Sequence, residues 1–142
     1  MGDPSWRDSY SSLSYDKLRY ADTDRQGHVN NAVFSTFLET GRVELLYNPE
    51  RPLAAPDAEF VIVSIKLVLE GEIHWPGQVD IGTRVARIGK TSVTLEQALF
   101  QNDRRVATAE SVIVQIGHTT RKSLPLTPES IHRLESLKSP SP

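Results

Sequence analysis

The chain has 142 residues, 38% of them hydrophobic and 24% charged, with a net charge of −2, the size and mixture of one soluble globular domain. That balance supplies no basic field for nucleic acid or an acidic membrane surface, and no apolar run approaches the roughly 18 residues of a membrane span. There is no cysteine, which excludes disulfides and thiolate nucleophiles or metal sites, and the opening MGDPSWRDSY lacks a signal-like apolar core, so a cytoplasmic protein is expected.

Residues 1–12, rich in Ser, Asp and Gly, read as a loose tail, and so do residues 136–142 at the polar, proline-broken end SLKSPSP. One domain, 13–135, lies between them. Tyr15 to Tyr20 is expected as a short strand. A helix follows from near Asn30, because Phe34, Phe37, Leu38, Gly41 and Leu45 recur at spacings of three and four. Asn30 to Leu38 contains no charge, which predicts a first half buried on most sides. Gly41 on the apolar stripe weakens a helix by about 1 kcal/mol relative to Ala, so a close neighbour is expected there. Asn48-Pro49 ends the helix, and prolines 49, 52 and 56 mark an irregular connection.

Strand signals dominate afterwards. VIVSIKLVLEGEI (61–73) alternates, Pro76-Gly77 breaks the chain, and QVDIGTRVARI (78–88) is joined by GKT to SVTLEQALFQ (92–101). Asn102-Asp103 predicts a tight turn into RRVATAESVIVQI (104–116). A short last helix is expected at PESIHRLESL, with Pro128 and Glu129 in its first turn. The order is strand, long helix, then four strands in an antiparallel meander. That is an α+β architecture in which a curled sheet covers the helix and leaves one edge open to a second chain.

The chemistry concentrates in DTDRQGHVNN, residues 22–31. Asp22-x-Asp24-x-Gln26-Gly27 copies the start of a calcium loop, but the twelfth position, where a bidentate Glu is required, is Val33. Asp22, Asp24 and His28 make a poor zinc set, for want of a second nearby His or any Cys. Turn-making alone would account for these residue types, with Asn30 as helix cap. The chemical alternative pairs the Asp24 carboxylate with the free N–H groups of the helix start, which suits acyl transfer.

The whole string RYADTDRQGHVNNAVFSTFLETGR, residues 19–42, resembles the opening of hotdog-fold acyl-CoA thioesterases of the 4-hydroxybenzoyl-CoA thioesterase type. The shared pattern is Asp22, Asp24, Gly27 to Asn31, Phe34, Glu39 and Arg42. The resemblance implies a hotdog fold of about five antiparallel strands around one helix. It also implies hydrolysis of an acyl-CoA thioester with no cofactor and no metal, in a dimer or tetramer whose sites lie between subunits. It selects Asp24 as nucleophile or general base and the backbone N–H of Asn31 as the oxyanion contact. It places His28, Asn30, Phe34 and Glu39 beside the substrate, with Glu39 the second choice for the base, although His28 reads equally as a corner imidazole bonded to backbone. Phe34 stands where relatives commonly carry Tyr, so no hydroxyl acts there. Asp22 reads as a turn-holding residue.

Arg84, Arg87 and Lys90, leading into Gly89-Lys90-Thr91-Ser92, resemble the segment that often binds the nucleotide part of CoA. On a regular strand Arg84 and Arg87 point to opposite faces, so only one is expected to reach it. Glu39 and Arg42, one turn apart, are expected to pair on the helix surface. The alternatives to acyl-CoA hydrolysis are the same chemistry on acyl carrier protein, a non-catalytic acyl-CoA binder, and a hotdog dehydratase or hydratase.

Overall fold

A computed structural model describes residues 2–138, so the expected loose segment 136–142 falls largely outside the described residues. The elements are β1 (Ser12–Lys17), α1 (Asn31–Leu46), β2 (Ala58–Leu69), β3 (Gln78–Ile88), β4 (Ser92–Gln101), β5 (Arg104–Gly117) and α2 (Pro128–Ser136). The five strands form one antiparallel sheet in the order β1-β3-β4-β5-β2. Only β3, β4 and β5 meander. The expected four-strand meander is corrected, because β2 pairs with β5 and lies at the far edge.

Asn102 and Asp103 both have positive φ (52° and 61°), the backbone of a two-residue turn whose twist matches its flanking strands. They close β4 onto β5 at the place the dipeptide predicts. The first strand is earlier than expected, ending at Lys17, and Tyr20–Asp22 is a single 3₁₀ turn. Its cause is local. The Asp22 carboxylate reaches back to the Arg19 N–H (2.9 Å) and guanidinium (2.8 Å), which closes the turn.

Helix α1 lies on one face of the sheet against β1, β3 and β4. Its buried face is Phe34, Phe37, Leu38, Gly41, Arg42, Leu45 and Leu46, the three-and-four stripe of a helix packed on one side. Phe34, Phe37 and Leu38 join Ile81, Leu99 and Ala107 in one core cluster, and Leu45 and Leu46 join Val85, Val93 and Leu126 in a second. At Gly41 a Cβ would lie 2.7 Å from Ile81, 2.8 Å from Gln97 and 2.9 Å from Thr83. The close neighbours are sheet side chains.

The helix's first half is not buried on most sides. Asn31, Ala32, Ser35 and Thr36 are exposed, so the uncharged stretch is an open polar face above an apolar one. Nor do Glu39 and Arg42 pair. Arg42 turns inward to Gln97 Oε1 (3.4 Å) and is buried, which pulls its guanidinium below its usual pKa.

The segment expected as a loose amino-terminal tail is docked. Pro4–Ser9 form a 3₁₀ helix whose Trp6 ring stacks on Phe100 at 3.7 Å and donates from Nε1 to Asp103 (3.0 Å). This covers the face of the sheet opposite α1. No helix among the described residues is long and apolar enough to cross a membrane.

Candidate active site

The corner between β1 and α1 is a small antiparallel loop. Thr23 bridges Val29, the Asp24 N–H donates to the His28 carbonyl (2.8 Å), and the Asn30 N–H donates to the Asp22 carbonyl (2.9 Å). Gly27 supplies the positive φ (78°) that closes it. Asp22 is buried and spent on structure. Burial alone would push its carboxyl up, but the bonds from Arg19 outweigh this and hold it below the ordinary carboxylate value.

Asp24 is placed differently. Its side chain is exposed, and Oδ1 accepts the backbone N–H groups of Gln26 (2.9 Å) and His28 (3.3 Å). Those two bonds fix the carboxylate's direction and leave Oδ2 with no donor among the described residues. Asn30 caps α1, its Oδ1 accepting from the Ala32 N–H (3.0 Å) and its carbonyl from the Val33 N–H (2.9 Å). The Asn31 N–H has no acceptor among the described residues. A carboxylate oxygen and an unused helix-start donor therefore stand in one braced corner. The depression over Asp24, about 520 Å³, is lined by Asp24, Arg25 and Gln26 alone among the described residues.

The fold matches known structures over nearly the whole chain. A Pseudomonas aeruginosa protein superposes with a TM-score of 0.82 at 28% identity, covering 94% of this chain and 95% of that one. A protein described as a predicted thioesterase from Bacillus stearothermophilus gives 0.80 at 24% identity, with coverages of 89% and 96%. A Thermus thermophilus thioesterase, described as complexed with coenzyme A and Zn, gives 0.79 at 23% identity over 92% and 96%. Among curated proteins nothing matches. The deciding match is to a family model, Thioesterase-like superfamily, over residues 18–134. The chain belongs to the thioesterase-like superfamily. The fold is the hotdog fold of that superfamily, and thioester hydrolysis is the activity that membership supports.

The expected site residues fall into four places. Asp24, His28, Asn30 and Asn31 share the corner. Phe34 lies beneath it, 1% exposed in the core, and Glu39 sits farther along the exposed face of α1. Arg87, Lys90 and Ser92 lie elsewhere. The corner meets the start of β3, where the Leu18 N–H donates to Gly77 (2.9 Å), whereas these three surround the far end of the eleven-residue strand. At about 3.3 Å per residue that is roughly 30 Å away.

The parity reading of Arg84 and Arg87 is also corrected. The β3–β4 register shifts between Val85 and Arg87, so Arg84 pairs with Glu96 and Arg87 with Thr94. The extra residue, Ala86, puts both arginines on one face. Arg84 is held by the Ser9 carbonyl (3.0 Å) and lies over Tyr10, while Arg87 is exposed.

Two neighbours of the corner have no local sequence signal. Glu72 and His74 stand beside His28, with Glu72 Oε1 at 3.3 Å from His28 Nδ1 and the two imidazole centroids 4.7 Å apart.

Proposed function

We propose that this chain is a thioesterase of the 4-hydroxybenzoyl-CoA thioesterase type that hydrolyses an acyl-CoA to a carboxylic acid and CoA. What supports the reading is a directed Asp24 carboxylate with one oxygen free and, in the same strand-to-helix corner, an unused Asn31 N–H at the helix start. In this mechanism the Asn31 N–H holds the thioester oxygen as negative charge develops on it. Asp24 either deprotonates the attacking water or attacks the carbonyl to form an acyl anhydride that water then opens. CoA leaves as the thiolate. Asn30 sets the helix start, Phe34 supports it from the core, and His28 and Glu39 border the acyl group.

The active unit is a dimer or a dimer of dimers. Strand β2 is an unpaired edge on which Ile62, Val63, Ile65, Val68 and Leu69 are all more than two-fifths exposed. Such an edge invites pairing with a second copy. A partner would also wall the open depression over Asp24 and cover the uncharged face of Asn31, Ala32, Ser35 and Thr36. It would bring its own Arg87, Lys90 and Ser92 to the CoA phosphates, which the same chain's hairpin is too far away to reach. The coenzyme A held by the Thermus thermophilus neighbour supports CoA as the carrier. The compartment proposed is the cytoplasm.

Measuring thiol release from matched acyl-CoA and acyl carrier protein thioesters tests the substrate class. Higher kcat/KM on CoA thioesters is expected. Preference for the carrier protein would move the same chemistry to that partner, and binding without turnover on either would leave an acyl-CoA binder.

A further inference from the structure

We propose that His28, Glu72 and His74 form a site for one zinc-like divalent cation per chain, where the corner loop meets the β2–β3 connection, with no ligand drawn from Asp24. The three side chains come from two stretches that the fold locks together. His28 and His74 face each other across an isolated antiparallel bridge, and the Val29 N–H donates to the Ile73 carbonyl (2.8 Å). Directly opposed residues of such a pair present their side chains on one side, and Glu72, two residues before His74, shares it. Gln101 clamps the His74 backbone from both ends, accepting its N–H (3.0 Å) and donating to its carbonyl (2.7 Å). The ligand backbone is thus held before any ion arrives.

The spacing of the side chains fits an ion between them. Glu72 Oε1 lies 3.3 Å from His28 Nδ1 and Oε2 lies 3.5 Å from His74 Nε2. Neither contact is a hydrogen bond, so none of these atoms is committed to another. Ligands about 2.05 Å from a tetrahedral zinc are separated by about 3.3 Å, a spacing that the Glu72–His28 contact already has. One ligand atom from each residue lies within 4.8 Å of the others, and this is the triad of potential ligands among the described residues. Closing the longest separation needs only side-chain rotation, because Glu72 and His74 are more than half exposed.

Two imidazoles and one carboxylate suit zinc and its neighbours better than magnesium or calcium, which prefer oxygen alone. Three protein ligands leave a position for water. Glu72 and His74 also line a polar pocket of about 480 Å³, which gives the ion a route from solvent. A bound ion would tie the loop carrying Asp24 to the β2–β3 connection.

The test is calorimetric titration of the full, chelator-stripped chain with Zn²⁺, beside thermal unfolding with and without the ion. One Zn²⁺ per chain and a raised Tm are expected, with Mg²⁺ doing neither. His74→Ala and Glu72→Gln, both at exposed positions, should each weaken binding by more than about tenfold. His118→Ala, far away beside Glu59, should bind as the wild type does. In the wild type, the imidazole NMR signals of His28 and His74 should move on adding Zn²⁺ while that of His118 stays. Absence of saturable binding, or unchanged affinity in both His74→Ala and Glu72→Gln, overturns the site. Thiol release is not read in any of these assays, so their failure leaves the thioesterase reading untouched.

Discussion

At the scale of single residues, two aspartates two positions apart do opposite work. Asp22 is 3% exposed and both its oxygens are used by Arg19, whereas Asp24 is exposed with one oxygen free. The bonds from Arg19 hold the Asp22 carboxyl below its ordinary value of 3.8 in the folded state. Its contribution to stability is therefore fully present above that value and is lost as pH falls through the lower folded one. Asp22→Asn should cost about 1–3 kcal/mol at neutral pH, since it strips the Arg19 N–H of a strong acceptor. It should also flatten the fall in stability below pH 3.8. Urea unfolding of both proteins across that range checks both. The choice of Asp24 over Asp22 rests on the resemblance to a known motif, and the turn-holding place of Asp22 on the readiness of Asp to bond nearby backbone N–H groups. The neighbours of His28 were not legible, because Glu72 and His74 reach it only through a bridge between distant stretches of chain.

At the scale of elements, Gly41 shows how closely α1 sits on its sheet. Gln97 beneath it donates to the Leu38 carbonyl and Thr83 Oγ1, both at 3.0 Å, and accepts from Arg42. It cannot yield to a new methyl group without breaking those bonds. Gly41→Ala gains about 1 kcal/mol of helix propensity but overpacks a tight contact, which typically costs about 1–3 kcal/mol. A net fall in Tm is the expected result by calorimetry, and a rise would show that the sheet relaxes. Local periodicity made β3, β4 and the start of α1 legible to the residue, because alternation and an Asn cap are written in neighbouring positions. The bulge at Ala86 escaped it, since one inserted residue leaves composition unchanged while turning every later side chain over. The exposed polar face of α1 escaped it too, because lack of charge looks the same on a buried face and on one reserved for a partner.

At the scale of the whole molecule, strand order was the largest thing hidden from the sequence. An alternating run says that β2 is a strand but not that it crosses to pair with β5. That crossing leaves β2 as the apolar edge, and it makes a shared site testable by mixing chains. Asp24→Asn alone should lack the carboxylate, and Arg87→Ala/Lys90→Ala alone should bind CoA thioesters weakly. When the two are unfolded together and refolded, each hybrid dimer holds one site with both sets of residues intact. Activity should then rise to about a quarter of the wild-type sites, if chains pair at random as in a symmetric dimer. No rise on mixing would mean that each chain completes its own site.

In the proposed mechanism the Asp24 carboxylate carries out thioester hydrolysis. The most direct test of this is free thiol release by wild type and Asp24→Asn from short, long and aromatic acyl-CoAs, with folding verified by circular dichroism. Turnover of at least one acyl-CoA by the wild type, falling by about 10²- to 10⁴-fold in kcat in the variant, is the predicted result. Turnover that survives Asp24→Asn would contradict the assignment and send the search to Glu39.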